Sequence, residues 1–165
     1  MSSEATPIHP LLAAARAALP DVVEVRRRLH RRPEIGLRLP QTQAMVIEAL
    51  RAIGLDGRPG GTTDSVVAVI DGARPGPTIL LRADTDALPM TENSDESFSS
   101  VVKGRAHTCG HDGHVAMLLG AARLLSTRRN DLPGTVRLVF QPGEEGHAGA
   151  QVMLTEGVLT DGLTN

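Results

Sequence analysis

The sequence has few aromatic residues and a single cysteine. It contains no Trp or Tyr, and its only aromatic carbocycles are Phe98 and Phe140, so a base-stacking platform for nucleic acid is not expected. Cys109 cannot form an internal disulfide, which favours a reducing compartment. No run approaches the roughly 20 apolar residues of a membrane span. Residues 1–10 carry Glu4 and no basic residue, unlike a signal peptide. We therefore expect a cytoplasmic protein without a membrane partner.

The sequence also lacks an excess of basic charge. Its 17 Lys and Arg residues face 19 Asp and Glu residues, which gives a net charge of −2. Proteins that bind the nucleic-acid backbone normally carry a clear basic excess. The arginines crowded into residues 26–32 predict a solvated helix face rather than a polyanion site. No nucleic-acid partner is therefore expected.

Helical and extended patterns are mixed along the chain, whose length suits one domain. The turn-forming residues 71–77 predict that the two strands around them form a hairpin or neighbouring strands. The strands are continuous apolar runs, which are typical of a sheet covered by helices on both faces, so we predict an α/β fold. The patterns predict helices over 7–19 (interrupted by Pro20), 22–29 (closed by Pro33), 42–53, 115–125 and 149–156, and strands over 65–70, 78–81 and 135–140.

Three polar clusters lie where predicted strands end or where the strongest helix begins. Residues 82–86 follow one strand, residues 107–114 precede the helix, and residues 141–145 follow the last strand. Ligands of α/β sheets bind beyond the carboxyl ends of the strands. We therefore expect the three clusters to converge on one site.

The middle cluster contains three histidines and the only cysteine within residues 107–114. Cys109 and His111 offer a thiolate and an imidazole, which suit a borderline metal such as zinc. Gly110 between them predicts a turn that lets both side chains reach one ion. The nearby helix N-terminus is expected to favour the thiolate form of Cys109. The alternative is a buried cysteine beside histidines that only cap the helix.

The third cluster carries the adjacent carboxylates Glu144 and Glu145. Consecutive side chains diverge, so Glu145 can bind a metal while Glu144 faces the metal-bound water. A catalytic metal needs about three protein ligands, an open position and a base. Cys109, His111 and Glu145 supply three ligands, and Glu144 supplies the base. The alternative is a solvated acidic pair without function.

Two further readings stay open from the residues alone. Asp84 and Asp86 either shape a strand-end turn or cap a helix, or they accept a hydrogen bond that orients a liganding imidazole. Arg82 can pair with one of them. A cysteine hydrolase that uses Cys109 as nucleophile is a different class of enzyme, but it leaves the Glu144–Glu145 pair without a task.

Residues 80–89, 107–114 and 140–146 resemble the amidohydrolase branch of the aminoacylase/carboxypeptidase-type metallopeptidases. This branch includes hippurate hydrolases and indoleacetyl-amino-acid hydrolases. Residues 29–36 look like its N-terminal signature, and all four segments occur in the order of the family. The resemblance implies the α/β/α sandwich of a zinc-peptidase-like catalytic domain, here incomplete.

The resemblance also implies a reaction and a role for each matching residue. Cys109, His111 and Glu145 match metal ligands, Glu144 matches the general base, and Asp84 matches an aspartate that supports the site. The implied cofactor is a pair of divalent ions (Zn, Mn, Co or Ni), and the implied reaction is hydrolysis of the amide bond of a small N-acyl amino acid. His107 and His114 match recurrent positions to which no ligand role is assigned.

Members of the family that the sequence resembles continue well beyond its last residue. Two more histidine ligands and a lid domain that mediates dimerisation lie in that further part. The resemblance therefore implies that residues 1–165 are the N-terminal portion of the catalytic domain, without the lid. A homodimer through the lid is then a property of the longer protein. We expect little turnover from this chain alone, and a truncated, non-catalytic metal-binding remnant is the alternative.

Overall fold

The computed structural model of the chain describes residues 9–160. The expectation about a signal peptide, and residues 7 and 8 of the first predicted helix, therefore lie outside the described residues. The predicted α/β class is confirmed. In chain order the elements are α1 (Pro10–His30), α2 (Pro40–Ala52), β1 (Arg58–Pro59), β2 (Val66–Asp71), β3 (Arg74–Asp84), α3 (His111–Ser126), a 3-10 turn (Arg129–Asp131), β4 (Pro133–Gln141) and α4 (Gly149–Thr155).

The first two predicted helices form one continuous helix, α1, so the predicted interruption at Pro20 is wrong. A proline inside a helix removes one backbone hydrogen bond, to the carbonyl four residues earlier. Proline has no backbone N–H, so Pro20 leaves the carbonyl of Arg16 without its hydrogen-bond partner in the helix. Both residues lie on the exposed side of α1. Water can therefore hydrogen-bond to that carbonyl, while Ala18 and Leu29 keep the helix anchored in the core.

The other helices confirm the periodic patterns, with small shifts at their ends. α2 ends before Gly54, whose φ of +76° is the left-handed conformation that glycine adopts most easily. α2 begins at Pro40, and proline fits the first turn of a helix. α3 begins at His111, earlier than the apolar pattern predicted. The first turn of α3 thus contains polar residues of the middle cluster.

The sheet has the strand order β1-β2-β4-β3, so β4 lies between β2 and β3. The predicted hairpin or neighbouring pair is therefore wrong. β2 pairs with β4 in antiparallel register and β3 pairs with β4 in parallel register. A parallel pair needs a long crossover connection, which the segment containing α3 supplies. β4 is buried along nearly its whole length whereas β3 is mostly exposed, so the strand with more apolar surface to bury takes the centre.

One face of the sheet carries the main hydrophobic core. Alternate residues of β2 and β4 pack there against α1, α2 and α3. On the other face Met153 of α4 is buried, and Arg137 donates a hydrogen bond to the carbonyl of Val158. Ile79 and Leu80 of β3 remain 55% and 39% exposed. The predicted coverage of both faces is thus only partly correct within residues 9–160.

The prediction about membrane spans depends on how long and how apolar the helices are. Of the helices that residues 9–160 form, none combines the length and the apolar character that crossing a bilayer requires.

The parallel pairing of β3 and β4 decides where the polar clusters lie. Asp84 and Gln141 are partners at the last register position of the two strands. The carboxyl ends of parallel strands lie at the same edge of a sheet. Residues 82–86 and 141–145 therefore meet there, as predicted, and the N-terminus of α3 joins them.

Candidate metal centre

The ends of β3 and β4 are joined by polar contacts. The Thr85 amide donates to the Gln141 carbonyl at 2.9 Å. Arg82 donates from Nε to the Gln141 side-chain oxygen at 2.9 Å and forms an ion pair with Asp84. Arg82 thus pairs with one of the two aspartates, as the sequence suggested. These contacts hold Asp84, which is 5% exposed, at the edge of the sheet.

The structure brings Cys109, His111 and Glu145 together. One potential ligand atom from each residue lies within 4.8 Å of the other two. Gly110, between the cysteine and the histidine, has a φ of +91°, a conformation that side-chain-bearing residues rarely adopt. The turn at Gly110 therefore lets the side chains of Cys109 and His111, which flank the glycine, approach one point.

The orientation of His111 follows from its hydrogen bond. Nδ1 lies 2.9 Å from the backbone carbonyl oxygen of Asp86. A carbonyl oxygen only accepts hydrogen bonds, so Nδ1 carries the hydrogen and donates it. In the neutral ring the lone pair then lies on Nε2. His111 therefore presents Nε2 as its only ligand atom for a metal.

Three carboxylate oxygens surround Nε2 of His111. Asp84 Oδ2 lies 3.7 Å away, Glu144 Oε2 lies 3.8 Å away and Glu145 Oε1 lies 4.0 Å away. The Asp86 side chain beside Nδ1 raises the pKa of His111, and the charge of Asp84 acts in the same direction, whereas burial opposes both. A centre with this excess of negative charge favours a cation, and its sulphur, nitrogen and oxygen donors suit a divalent transition metal.

The thiol of Cys109 differs from the prediction. Its hydrogen bond with Glu145 raises its pKa, and burial and the charges of Glu145, Glu144 and Asp84 raise it further. The expectation that the helix N-terminus favours the thiolate is therefore wrong for the metal-free chain. The partial positive charge of a helix end is outweighed by carboxylates close by. Binding of a metal to this thiol must displace its proton.

The acidic pair lies in a tight turn after β4. The Gly146 amide donates to the Glu144 carbonyl at 2.8 Å. The side chain of Glu144 is 45% exposed and that of Glu145 is 24% exposed. The more exposed Glu144 is thus open to solvent, while Glu145 lies closer to the interior of the centre.

Asp86 and His114 also take part in the centre. The sequence left Asp86 open between shaping a turn and orienting a liganding imidazole, and it assigned no ligand role to His114. Burial tends to raise the pKa of Asp86, but hydrogen bonds from His111 and from the Glu145 and Glu144 amides lower it below the usual range. His114 Nδ1 lies 3.3 Å from Asp84 Oδ2, and its ring stacks on that of His111 at 5.5 Å. The spacing of His111 and His114 by three residues was the available signal, because such residues share one helix face.

The two histidines and Asp84 form a second set of potential ligands within 4.8 Å of one another. This set shares His111 with the set that contains Cys109. Since only Nε2 of His111 is available, the two sets compete for that nitrogen. His107 belongs to neither set, and burial lowers its pKa to about 4.

Comparisons with known proteins place this geometry in context. Over 141 residues the chain is 46% identical to thermostable carboxypeptidase 1 of Saccharolobus solfataricus, covering 84% of this chain and 36% of that protein. It is 42% identical to the N-acyl-L-amino acid amidohydrolase of Geobacillus stearothermophilus, covering 87% of this chain and 39% of that protein. The chain therefore spans little more than a third of the length of these relatives.

A solved structure and a family profile agree with these relatives. The Bacillus subtilis YXEP protein, described as a dinuclear metal binding peptidase of the M20 family, superposes with a TM-score of 0.84 and 40% identity, covering 87% of this chain and 40% of that chain. The profile described as peptidase family M20/M25/M40 matches residues 80–164, which is more than half of the sequence. The resemblance seen in the sequence is confirmed: the chain belongs to peptidase family M20/M25/M40.

Proposed function

We propose that this centre hydrolyses the amide bond of small N-acyl amino acids in a metal-dependent reaction, with Glu144 as the general base. One observation carries the proposal. A thiol, an imidazole and a carboxylate converge within 4.8 Å, and a second carboxylate, Glu144, lies 3.8 Å from the same imidazole nitrogen. The relatives named for N-acyl amino acid hydrolysis support the substrate class.

Cys109, His111 and Glu145 would hold a divalent ion through the thiolate, Nε2 and a carboxylate oxygen. When bound, such an ion polarises the amide carbonyl and lowers the pKa of water. The donor set admits zinc, manganese, cobalt or nickel. Asp84 supports the centre from the end of β3, where its carboxylate faces both His111 and His114. The dinuclear neighbour supports a site of two ions, for which further ligands come from outside this set.

Glu144 performs the proton transfers in this proposal. Its carboxylate is part of the centre, yet almost half of its side chain remains open to solvent, where substrate and water arrive. It accepts a proton from the attacking water and delivers that proton to the nitrogen of the departing amino acid. Arg82 is held by Asp84 and Gln141, so we assign it no contact with the substrate.

The organisation of the longer protein belongs to the same proposal. Residues 1–165 form the N-terminal portion of a cytoplasmic catalytic domain, and a lid domain elsewhere mediates homodimer formation. A truncated, non-catalytic metal-binding remnant is the second candidate. It is favoured by one observation: in residues 9–160 the two possible ligand sets share a single histidine nitrogen, which leaves the centre short of donors for two ions.

The test compares the purified chain with Glu144→Gln, supplied with Zn²⁺ or Mn²⁺ and with hippurate or N-acetyl amino acids. Bound metal is measured by mass spectrometry after gel filtration, and the released amino acid is quantified. We expect equal metal content in both proteins and little turnover by residues 1–165 alone. In the longer protein, Glu144→Gln should lose about 100- to 10,000-fold in turnover, because general-base catalysis contributes that much.

Each other outcome is informative. Equal turnover in Glu144→Gln would exclude Glu144 as the base, and loss of its metal would show that Glu144 is a ligand. Metal binding without any release of amino acid by the longer protein identifies the non-catalytic remnant. Inhibition by iodoacetamide but not by a chelator would support the cysteine hydrolase instead.

A further inference from the structure

Asp86 is a fully buried carboxylate to which the proposed chemistry gives no role. It is 0% exposed and lies just after β3, between the acidic pair and the first turn of α3. Burying a carboxylate is unfavourable unless hydrogen bonds compensate for the lost water. The partners of Asp86 therefore indicate what it does.

Both carboxylate oxygens of Asp86 hold the backbone of the acidic pair. Oδ1 accepts from the Glu144 amide at 3.1 Å, and Oδ2 accepts from the Glu145 amide at 3.0 Å. The ladder between β3 and β4 ends just before this point, at Thr85 and Gln141. The side chain of Asp86 thus continues the connection between the two strands after their backbones separate.

The main chain of Asp86 acts on the third part of the centre. Its carbonyl oxygen accepts from His111 Nδ1 at 2.9 Å. This bond fixes which nitrogen of His111 carries the hydrogen, and it turns Nε2 toward the carboxylates. A single residue therefore contacts the acidic pair through its side chain and the imidazole through its backbone carbonyl, while its Oδ1 also lies 3.6 Å from His111 Nδ1.

We infer that Asp86 is a positioning residue that sets the distance between the Glu144–Glu145 backbone and His111 Nε2, and thereby the metal affinity of the centre. The inference rests on the proposed function, because it assumes that Glu145 and His111 bind one ion. It separates two effects of Asp86. Asp86→Asn weakens the hold on the acidic pair and removes the charge beside Nδ1, but it leaves in place the carbonyl that orients His111.

The matched control is Asp64, another buried aspartate that holds backbone in a different part of the fold. It is 8% exposed, its Oδ2 accepts from the Leu39 amide at the start of α2 at 2.6 Å, and its Oδ1 lies 3.4 Å from Arg38. Asp64→Asn therefore removes a similar buried charge without touching the centre.

The experiment measures Co²⁺ binding to the parent chain, Asp86→Asn and Asp64→Asn by titration of the visible absorption. The asparagine side chain keeps one acceptor but turns an NH₂ group toward a backbone N–H, so one of the two amide contacts is lost. We expect Asp86→Asn to bind Co²⁺ about 10- to 100-fold more weakly, as is typical when a partner of metal ligands is removed. Its absorption spectrum should also change, whereas Asp64→Asn should match the parent in both respects.

Amide hydrogen exchange of the metal-free parent tests the same contacts without a substitution. The Glu144 and Glu145 amides should exchange slowly although their side chains are partly exposed. Fast exchange of both amides would overturn the inference, even where Asp86→Asn does not fold. Unchanged Co²⁺ affinity in a folded Asp86→Asn would also overturn it while leaving the proposed function intact. Failure of the parent to bind Co²⁺ at Cys109 would count against the proposed function and against the effect of Asp86 on affinity.

Discussion

Two buried histidines in this protein have carboxylate neighbours but opposite hydrogen-bonding states. His30, at the end of α1, has Nδ1 2.8 Å from Asp112 and Nε2 3.1 Å from Glu92. His111 has Nδ1 bonded to the carbonyl of Asp86, while the carboxylates around its Nε2 stay at 3.7 Å or farther. Both nitrogens of His30 are occupied, whereas one nitrogen of His111 is available.

The charges around the His30 and His111 rings also differ. Arg26 lies 3.1 Å from Asp112 and so adds a positive charge to the group around His30. Around His111 the carboxylates of Asp84, Glu144 and Glu145 meet. Arg82 forms an ion pair with Asp84. The His30 group is therefore a closed structural network, and the His111 group is the centre for which we propose a bound cation. Hydrogen bonding rather than residue type thus separates the structural histidine from the proposed metal ligand.

The largest effect is expected on stability, when His30 is removed from its closed network. His30→Ala leaves Asp112 and Glu92 without their buried partner, and breaking a buried charged pair costs about 3–5 kcal/mol. The free energy of unfolding in urea should fall by this amount. His9→Ala, which removes one exposed N-cap hydrogen bond from the Leu11 amide, should lower it by no more than about 1 kcal/mol. A decrease below about 1 kcal/mol would show that the network contributes little to stability.

The next largest effect is expected on the metal affinity of the centre around His111. His111→Ala removes the nitrogen that both ligand sets share. The Zn²⁺ affinity, measured with a competing chelator, should therefore fall at least about 100-fold. This loss is larger than is typical when a residue that only hydrogen-bonds to a metal ligand is removed. His114→Ala should lower it much less, since the Cys109 set does not use His114. Equal losses in the two variants would instead place the ion between Asp84, His111 and His114.

The smallest effect is expected from Glu92→Gln, and it should depend on pH. Burial tends to raise the pKa of Glu92, but bonds from Ser94, the Ser100 amide and His30 lower it to about 2 from 4.5. The contribution of this carboxylate is therefore complete above pH 4.5 and is lost as the pH falls toward 2.

At pH 7 the loss of charge-assisted bonds in Glu92→Gln should cost about 1 kcal/mol. Urea unfolding at several pH values checks both expectations. The stability of the parent should decline more steeply between pH 4.5 and pH 2 than that of Glu92→Gln. Parallel curves would show that Glu92 does not titrate with the lowered pKa.

Much of the centre followed from local patterns. The apolar runs before residues 82 and 141 predicted two strands, and strand ends are where α/β folds bind ligands. The residues Cys109, Gly110 and His111 predicted a turn with two donors. The structure indeed brings Cys109, His111 and Glu145 together. The role of each residue in catalysis stays a prediction.

Other features depended on partners that are distant in the sequence. The turn residues 71–77 favoured a hairpin, yet β4, which begins more than fifty residues later, lies between the two strands. Pro20 was expected to end a helix, but its exposed position makes the lost hydrogen bond tolerable. The pKa of Cys109 rises because Glu145 lies beside it, a contact between residues from different loops.

The amino-acid sequence alone determined the mixed α/β class, the family resemblance and the set of chemically able side chains, because periodicity and short motifs are local properties of a chain. The tertiary structure decided the strand order, the choice of the available nitrogen on His111 and the connection of the acidic pair to β3 through Asp86. These features depend on the distances between atoms that only folding brings together, and electrostatic and hydrogen-bond energies depend on those distances.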